Sequence, residues 1–220
     1  MIKVLYEDNH LLCVEKPVNV PVQEDSSGSP DLLNLCKAYI REKYGKPGNV
    51  YLGLVHRLDR PVGGVMVFAR TSKAASRLSE SIRTHALKKV YMAVTDGIPE
   101  RDEAVLTDWL EKDSRTNTVH VTDSGHGRKA VLSYRIIARN KKHALVEIHL
   151  ETGRPHQIRV QFASRGTPLV NDQRYNRNAG RGQIALWAYQ LEFPHPVTKE
   201  TVHVESVYPQ TWPWNEFGGI

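Results

Sequence analysis

The sequence is poor in cysteine: its 220 residues include two thiols, Cys13 and Cys36, and no Cys-x-x-Cys pair. This argues against a disulfide scaffold and against a thiolate zinc site. No run of 18 or more apolar residues occurs, so a membrane-spanning helix is excluded. The first residues join no basic segment to a long apolar stretch, which argues against a secretory signal. Together these absences predict a cytoplasmic protein.

Histidine is more frequent, with ten residues, but no two of them form a His-x-x-x-His pair. The spacing that ligands require therefore argues against a structural metal, and we predict none. Hydrophobic residues make up 40% of the chain and charged residues 25%. These proportions are typical of a globular protein with a real core. The length fits one domain, which we place at residues 1–220.

The net charge of +6 is concentrated in two central segments. Residues 51–100 contain eight basic and four acidic side chains, and residues 151–182 contain six arginines and two acidic side chains. A basic surface of this kind suits a polyanionic partner such as nucleic acid. The alternative, from charge alone, is a moderately basic protein with a solvated face.

Short strands dominate the predicted secondary structure. Three helices are expected: one capped by Ser29, one over residues 72–87, and a short one from Pro155 to Arg165. Because strands and helices do not alternate regularly, the pattern indicates an α+β fold with a mixed, mainly antiparallel sheet and flanking helices. Apolar runs and alternation predict strands at residues 2–6, 11–15, 65–69, 90–94, 131–137, 144–150, 184–193 and 201–207.

The first stretch with chemical potential is His56-Arg57-Leu58-Asp59-Arg60, followed by Pro61 and the pair Gly63-Gly64. A carboxylate held among Arg and His side chains is kept ionised by its neighbours. The proline and the glycines let the chain turn sharply and let a ligand approach the backbone. The alternative is a surface turn with a local salt bridge, which is what such clusters usually are.

The second stretch is Glu151–Val160. On a helix, His156 and Arg159 share a face, and Arg159 would lie at the border between the core and a site, within reach of a carboxylate from another segment. The alternative is an amphipathic helix with a solvated basic side. In the third stretch, residues 88–94, Tyr91 could stack on a flat ligand or could be a core tyrosine whose hydroxyl reaches the surface.

Together these stretches resemble one family, the RluA-type pseudouridine synthases, whose sequences share His-Arg-Leu-Asp-Arg followed by a glycine and an apolar strand. The resemblance extends over almost the whole chain in the expected order. The matching segments are residues 56–70, Lys89–Ala93, Gly153–Val160, Leu5–Pro17 and Ala185–Pro196.

The chain departs from the family pattern at three places. Val62-Gly63-Gly64 stands where the family usually has Thr-Ser-Gly, Pro155 where it has Thr, and Gln161 where it commonly has His. None of these positions is the aspartate, the tyrosine or the second arginine of the pattern. We therefore expect the differences to affect substrate contacts and loop stiffness more than the chemistry.

The resemblance implies a pseudouridine synthase catalytic fold, in a short form that lacks an N-terminal S4-type RNA-binding domain. It implies Asp59 as the catalytic carboxylate, Arg159 as the partner that keeps Asp59 ionised, and Tyr91 as the side chain that contacts the uracil. Arg57 would fill the space left by the displaced base. Attack on C1′, attack on the base and loss of the C2′ proton remain open routes. The isomerisation exchanges no electrons or groups, so no cofactor is predicted.

The expected partner is structured RNA, either rRNA or tRNA, and the protein is expected to act as a monomer. The arginines in and beside the Gly- and Asn-rich loop at residues 167–182 could clamp phosphates, although such a loop could equally be flexible and exposed. The residues predicted to bind RNA are His56, Arg57, Arg60, Arg154, His156, Arg174, Arg177 and Arg181, with Arg165 beside the loop.

Two other functions are compatible with the sequence. One is a catalytically silent RNA-binding or ribosome-assembly factor on the same fold, which the altered Val62–Gly64 segment and Pro155 would favour. The other is a hydrolase of the glycosidic bond, a reaction that commonly uses two carboxylates. Glu151 is the only acidic residue in the second stretch, and its alternation with His149 indicates an outward-facing strand end.

Overall fold

Strands and three α-helices make up the regular structure of the chain, which is known from a computed structural model that describes residues 2–218. The predicted α+β class is confirmed. The strands are β1 (Lys3–Glu7), β2 (Leu11–Lys16), β3 (Gly53–Leu54), β4 (Gly63–Ala69), β5 (Lys88–Asp96), β6 (Glu103–Asp113), β7 (Thr118–Thr122), β8 (Arg128–Arg139), β9 (His143–Leu150), β10 (Leu186–Pro194) and β11 (Thr201–Glu205). The helices are α1 (Leu32–Lys43), α2 (Ser72–Arg83) and α3 (Gln157–Ala163), followed by a 3-10 turn at Trp214–Phe217.

The chain divides into two units. Unit 1 comprises the residues up to Lys89 together with Ala188–Val207, and unit 2 comprises Val90–Trp187 together with the residues from Tyr208 onward. That residues 1–220 form a single catalytic domain stays a prediction. No helix among the described residues is long and apolar enough to cross a membrane.

Unit 1 contains strands in the order β1-β2-β4-β10, with β3 added to β4 and β11 to β10. The β1–β2 hairpin follows the prediction, and every residue of β4 is buried, as its unbroken apolar sequence requires. The core includes Phe68 on β4 and Leu78 on α2. Both cysteines lie in this unit, each with no exposed surface, and burial raises the pKa of Cys36 to about 12.

Both helices of unit 1 begin or end differently from the prediction. Asp31, rather than Ser29, caps α1, because its extended backbone lets the carboxylate accept the backbone N–H of Asn34 at 3.0 Å. Helix α2 ends at Arg83 instead of continuing to residue 87, since His85 adopts a left-handed backbone with φ 58°.

Unit 2 contains an antiparallel sheet in the order β5-β9-β8-β6-β7. Its third helix, α3, is shorter than the predicted 155–165 segment. His156 is the residue before α3 and has φ 52°, so it lies outside the helix, and the prediction that it shares a helical face with Arg159 is wrong. Ile158 and Phe162 are buried as predicted.

Candidate active site

Asp59 stands at the start of a tight turn in unit 1. Its backbone oxygen accepts the N–H of Val62 at 3.0 Å, and β4 begins immediately afterwards at Gly63. The side chain of Asp59 is partly exposed. The turn therefore presents a carboxylate directly before a fully buried strand, on a backbone with little freedom to move.

Lys16, at the end of β2, holds this turn from inside. Its ammonium donates to three backbone oxygens, those of Pro17 at 2.9 Å, Arg60 at 2.9 Å and Val62 at 2.8 Å. The residue has no exposed surface. Burial lowers the pKa of Lys16 to about 7, and the negative charge of Asp59 acts against that shift. One buried cation thus fixes the carbonyls on either side of Pro61, next to the predicted catalytic carboxylate.

Lys16→Met is expected to lower the free energy of unfolding by about 3 kcal/mol, since three buried carbonyls lose their donor. Between pH 7 and the ordinary lysine pKa of 10.5, the unfolded chain binds more protons at this residue. The stability gap between wild type and variant should therefore widen as pH rises across that range. Chemical denaturation at several pH values measures it.

The control is Lys3→Met, which removes a lysine that is 64% exposed and pairs with Glu15 at 2.7 Å. Exposed ion pairs contribute little, so this variant should lose less than about 0.5 kcal/mol. Equal stability of the two variants would contradict the role given to Lys16.

The segment Val62-Gly63-Gly64 is buried throughout, and Val62 is only 2% exposed. Gly64 pairs with Lys16 across the β2–β4 ladder and has φ +118°. A Cβ at Gly64 would lie 2.2 Å from the backbone oxygen of Ala188. The side chain of Val62 is thus buried, and close backbone packing accounts for the glycine at position 64. That the segment affects substrate contacts and loop stiffness stays a prediction.

The other charged residues of the first stretch have different environments. His56 accepts the backbone N–H of Val67 at its Nε2 atom, at 3.1 Å, and burial lowers the pKa of His56 to about 3. The ring is therefore neutral and adds no positive charge for RNA. Arg60 donates to the backbone oxygen of Asn19 at 3.1 Å and to Asp25 at 3.3 Å. Arg57 is exposed and makes no side-chain hydrogen bond or ion pair within residues 2–218.

Tyr91 lies on β5 in unit 2, opposite Ile148 of β9. It is 8% exposed, which makes it a largely buried tyrosine on a strand between apolar neighbours. The sequence left open whether this tyrosine contacts a ligand or packs in the core. Its burial shows that most of the ring is packed against protein.

Arg159 is buried in α3 and forms a two-pronged ion pair with Asp172. Its Nε donates to Oδ2 at 2.9 Å and its Nη2 donates to Oδ1 at 2.7 Å. The exposed fractions of the two residues are 5% and 1%. Arg159 therefore reaches a carboxylate from another segment, as expected, and that carboxylate is Asp172. Its position at the border of a site stays a prediction.

Tyr175 joins His156 to this pair. The guanidinium carbon of Arg159 lies 5.2 Å from the centre of the Tyr175 ring. The hydroxyl of Tyr175 hydrogen-bonds Nδ1 of His156 at 2.7 Å and accepts the backbone N–H of Val119 at 2.9 Å. His156 is thereby held beside Arg159 through a tyrosine, although it is not on the same helical face.

The remaining arginines fall into two groups. Arg154 donates to the backbone oxygen of Lys129 at 2.9 Å, Arg165 pairs with Asp108 at 2.9 Å, and Arg174 donates to the backbone oxygens of residues 116 and 117. Arg177 and Arg181 are exposed, and their side chains have no protein partner in the part of the chain that the structure describes. The second group therefore offers the more accessible positive charge.

Three residues that the sequence did not single out belong to these arrangements: Lys16, Asp172 and Tyr175. For Asp172 a signal existed, because it is the only acidic residue in the arginine-rich segment 167–182. Lys16 carried a weaker one, as a charge that ends an apolar strand. Within residues 2–218, no three His, Cys, Asp or Glu side chains are grouped so that they could hold a metal ion.

Comparison with known proteins gives concordant results. Residues 10–164 match the RNA pseudouridylate synthase family. The chain is 32% identical to an uncharacterized RNA pseudouridine synthase of Bacillus subtilis, over 94% of this chain and 68% of that protein. It is 31% identical to the ribosomal large subunit pseudouridine synthase D of Zymomonas mobilis, over 95% and 70%. The solved structure of human RNA pseudouridylate synthase domain containing 4 has the same fold, with a TM-score of 0.79, 24% identity, and coverage of 94% and 89%.

Proposed function

Because the chain belongs to the RNA pseudouridylate synthase family, and is thus an enzyme that isomerises uridine in RNA, we propose that it acts on specific uridines of large-subunit rRNA with Asp59 as the catalytic carboxylate. The family match over residues 10–164 carries the proposal, since it includes the whole first stretch. The choice of rRNA is supported by the relatives named as large-subunit synthases. A monomer in the cytoplasm stays a prediction from the sequence.

The reaction breaks the bond from the ribose C1′ to N1 of the base, and C5 of the same base then bonds to C1′. A carboxylate serves this chemistry as a nucleophile or as a base, and both roles require its ionised form. Two observations support Asp59 in this role: it is partly exposed, and its turn is fixed by the buried ammonium of Lys16. A fixed carboxylate attacks with less loss of freedom than a mobile one.

Tyr91 and Arg159 complete the proposed catalytic set. Tyr91 would contact the uracil, and its packing between apolar neighbours would hold the ring in one orientation. For Arg159 we propose the role that the family pattern implies, that of partner to the catalytic carboxylate. Arg57, exposed and without an internal partner among the described residues, would occupy the space of the displaced base.

RNA binding is proposed to depend on the exposed cations, since phosphate contacts supply most of the affinity. Arg177 and Arg181 are the foremost candidates, and Arg60, Arg154 and Arg174 would contact RNA with the donors that they do not use internally. His156 would contact RNA with a ring that Tyr175 holds, whereas His56, whose buried ring is neutral, would add no charge to the interface. Such contacts would recognise the RNA backbone and the shape of the RNA more than its base sequence.

The proposal is tested by tritium release from RNA that is labelled at C5 of uridine, because the isomerisation replaces that hydrogen. The purified chain should release tritium from large-subunit rRNA and leave no free uracil. Release from tRNA alone would overturn the choice of rRNA. No release from either RNA, with binding retained, would identify a silent RNA-binding factor, and free uracil would identify a glycosidic hydrolase. Glu151, the second carboxylate that such a hydrolase would need, is exposed.

A double variant, Arg177→Ala with Arg181→Ala, is expected to raise KM for RNA while kcat changes little. Each lost phosphate contact should reduce the slope of log affinity against log salt by about 0.7 to 0.9. Filter binding between low and moderate salt measures the slope.

The matched control removes two charges from α2, in Lys73→Ala with Arg83→Ala. Arg83 is exposed and pairs with Glu80 of the same helix at 2.5 Å. An equal loss of slope in both double variants would show that total charge, not the 167–182 segment, determines RNA binding.

A further inference from the structure

We propose that Asp172 is a positioning residue for the isomerisation, which fixes the guanidinium of Arg159 in one orientation and acts through it. The inference rests on the proposed function, because that function includes Arg159 in the catalytic set. No carboxylate in the segment 167–182 was expected to take part, so this extends the site to a loop that the sequence assigned to RNA contacts alone.

The carboxylate of Asp172 is held by donors on both of its oxygens. Its Oδ2 accepts from Nε of Arg159, and its Oδ1 accepts from Nη2 of Arg159. Oδ1 also accepts the backbone N–H of Arg174 at 3.1 Å and that of Tyr175 at 3.3 Å. The residue is 1% exposed. With donors on both oxygens and no contact with solvent, the carboxylate has one orientation, and the guanidinium plane must follow it.

The loop that carries Asp172 is bound to β5, the strand of Tyr91. The backbone N–H of Val170 donates to the backbone oxygen of Val94 at 2.9 Å. The side-chain amide of Asn176 donates to Asp96 at 3.0 Å. Asp172 lies between these two anchors in the sequence. The same strand therefore determines the position of Tyr91 and, through Asp172, that of Arg159.

Tyr175 restrains the face of the guanidinium while Asp172 restrains its edge. The ring lies 5.2 Å from the guanidinium carbon, and its hydroxyl is tied to His156 and to the backbone of Val119. Because its edge and its face are both in contact with protein, the guanidinium cannot rotate freely. The side chain therefore loses no conformational entropy when the substrate binds.

This arrangement also changes what Arg159 contributes. Asp172 neutralises its charge, so the pair offers oriented N–H donors and no surplus cation. Asp172 accepts from Nε and from one N–H of Nη2, which leaves three N–H groups that it does not engage, one on Nη2 and two on Nη1. A compact ammonium has no planar fork and cannot bridge the carboxylate in this way, so lysine should not replace Arg159.

The test measures kcat and KM for tritium release with the full chain. Asp172→Asn keeps the shape but loses the two-pronged pair, and should lower kcat about 100-fold with KM within about 3-fold. Asp172→Glu keeps the charge but moves the carboxylate by one methylene, and should lower kcat about 10-fold while remaining folded. If Asp172→Asn does not fold, the Asp172→Glu variant still tests the proposal. A kcat within about 2-fold of wild type in a folded variant overturns the inference.

A double-mutant cycle separates positioning from mere structural support. If Asp172 acts through Arg159, adding Asp172→Asn to Arg159→Gln should lower kcat less than about 3-fold further. A full additional loss would show that Asp172 acts independently. The control is Glu147→Gln, a carboxylate of unit 2 that pairs with Arg135 at 3.2 Å and should leave kcat unchanged. An inactive wild type overturns the proposed function and this inference together, whereas an active wild type confines any failure to Asp172.

Discussion

Asp59→Asn is expected to lower kcat for pseudouridine formation by about 10²- to 10⁴-fold, the range that a positioned acid or base contributes. The amide keeps the size of the side chain but is neither a nucleophile nor a base. Attack on C1′, attack on the base and removal of the C2′ proton all need the carboxylate, so the loss does not depend on the route. RNA binding should stay within about 2-fold, because the variant removes no positive charge. Tritium release under single-turnover conditions measures the chemical step.

The matched control is Asp25→Asn, in the same unit. Asp25 is exposed and accepts from Arg60, the residue that follows Asp59, at 3.3 Å. Its neutralisation should leave kcat within about 2-fold, as expected for an exposed ion pair. If Asp59→Asn retained more than a tenth of the wild-type rate, Asp59 could not be the catalytic carboxylate.

Gly64→Ala is expected to cost about 4 kcal/mol or more of folding free energy, from backbone strain and overpacking together. The φ of +118° is unfavourable for any side chain, and the new methyl group would lie 2.2 Å from the oxygen and 2.6 Å from the nitrogen of Ala188. Neither backbone atom can move without breaking strand pairing around β4. The melting temperature should fall by about 10 °C, as measured by calorimetry.

The control Gly45→Ala separates the cost of the left-handed backbone from the cost of the steric clash. Gly45 has φ +56°, but a Cβ there would meet nothing within 4 Å. This variant should therefore lose only about 1 kcal/mol, the cost of a left-handed alanine. Two variants of equal stability would show that the approach of Ala188 is not what requires a glycine at position 64.

Local sequence patterns predicted the strands well where the periodicity of apolar residues within one segment determines the structure. The apolar run of β4 and the alternation of β9 were identified because burial on a strand leaves a regular trace. Errors arose at the ends of helices. Asp31 rather than Ser29 caps α1, because both residue types can cap a helix and only the tertiary structure selects between them. The division into two units depends on contacts between distant segments, which no local pattern encodes.

For the candidate site, the family resemblance predicted from five segments is confirmed, whereas the roles of the residues in its motifs stay predictions. What the sequence could not show was which partners those residues have. Arg159 pairs with Asp172, 13 residues away, because a loop folds back onto β5. Lys16 likewise donates to the backbone oxygens of Arg60 and Val62, which are 44 and 46 residues away. Such contacts join segments that are far apart in the sequence, and no local periodicity predicts them.

The two cysteines have a practical consequence for following the opening of unit 1. Cys13 on β2 and Cys36 on α1 have no exposed surface, and burial raises the pKa of each thiol above its ordinary value. An alkylating reagent reacts with the thiolate, so it can modify the folded chain only after β2 or α1 has opened. The rate of maleimide labelling would thus report local opening of β2 and α1 with no engineered probe, because both natural cysteines lie in unit 1.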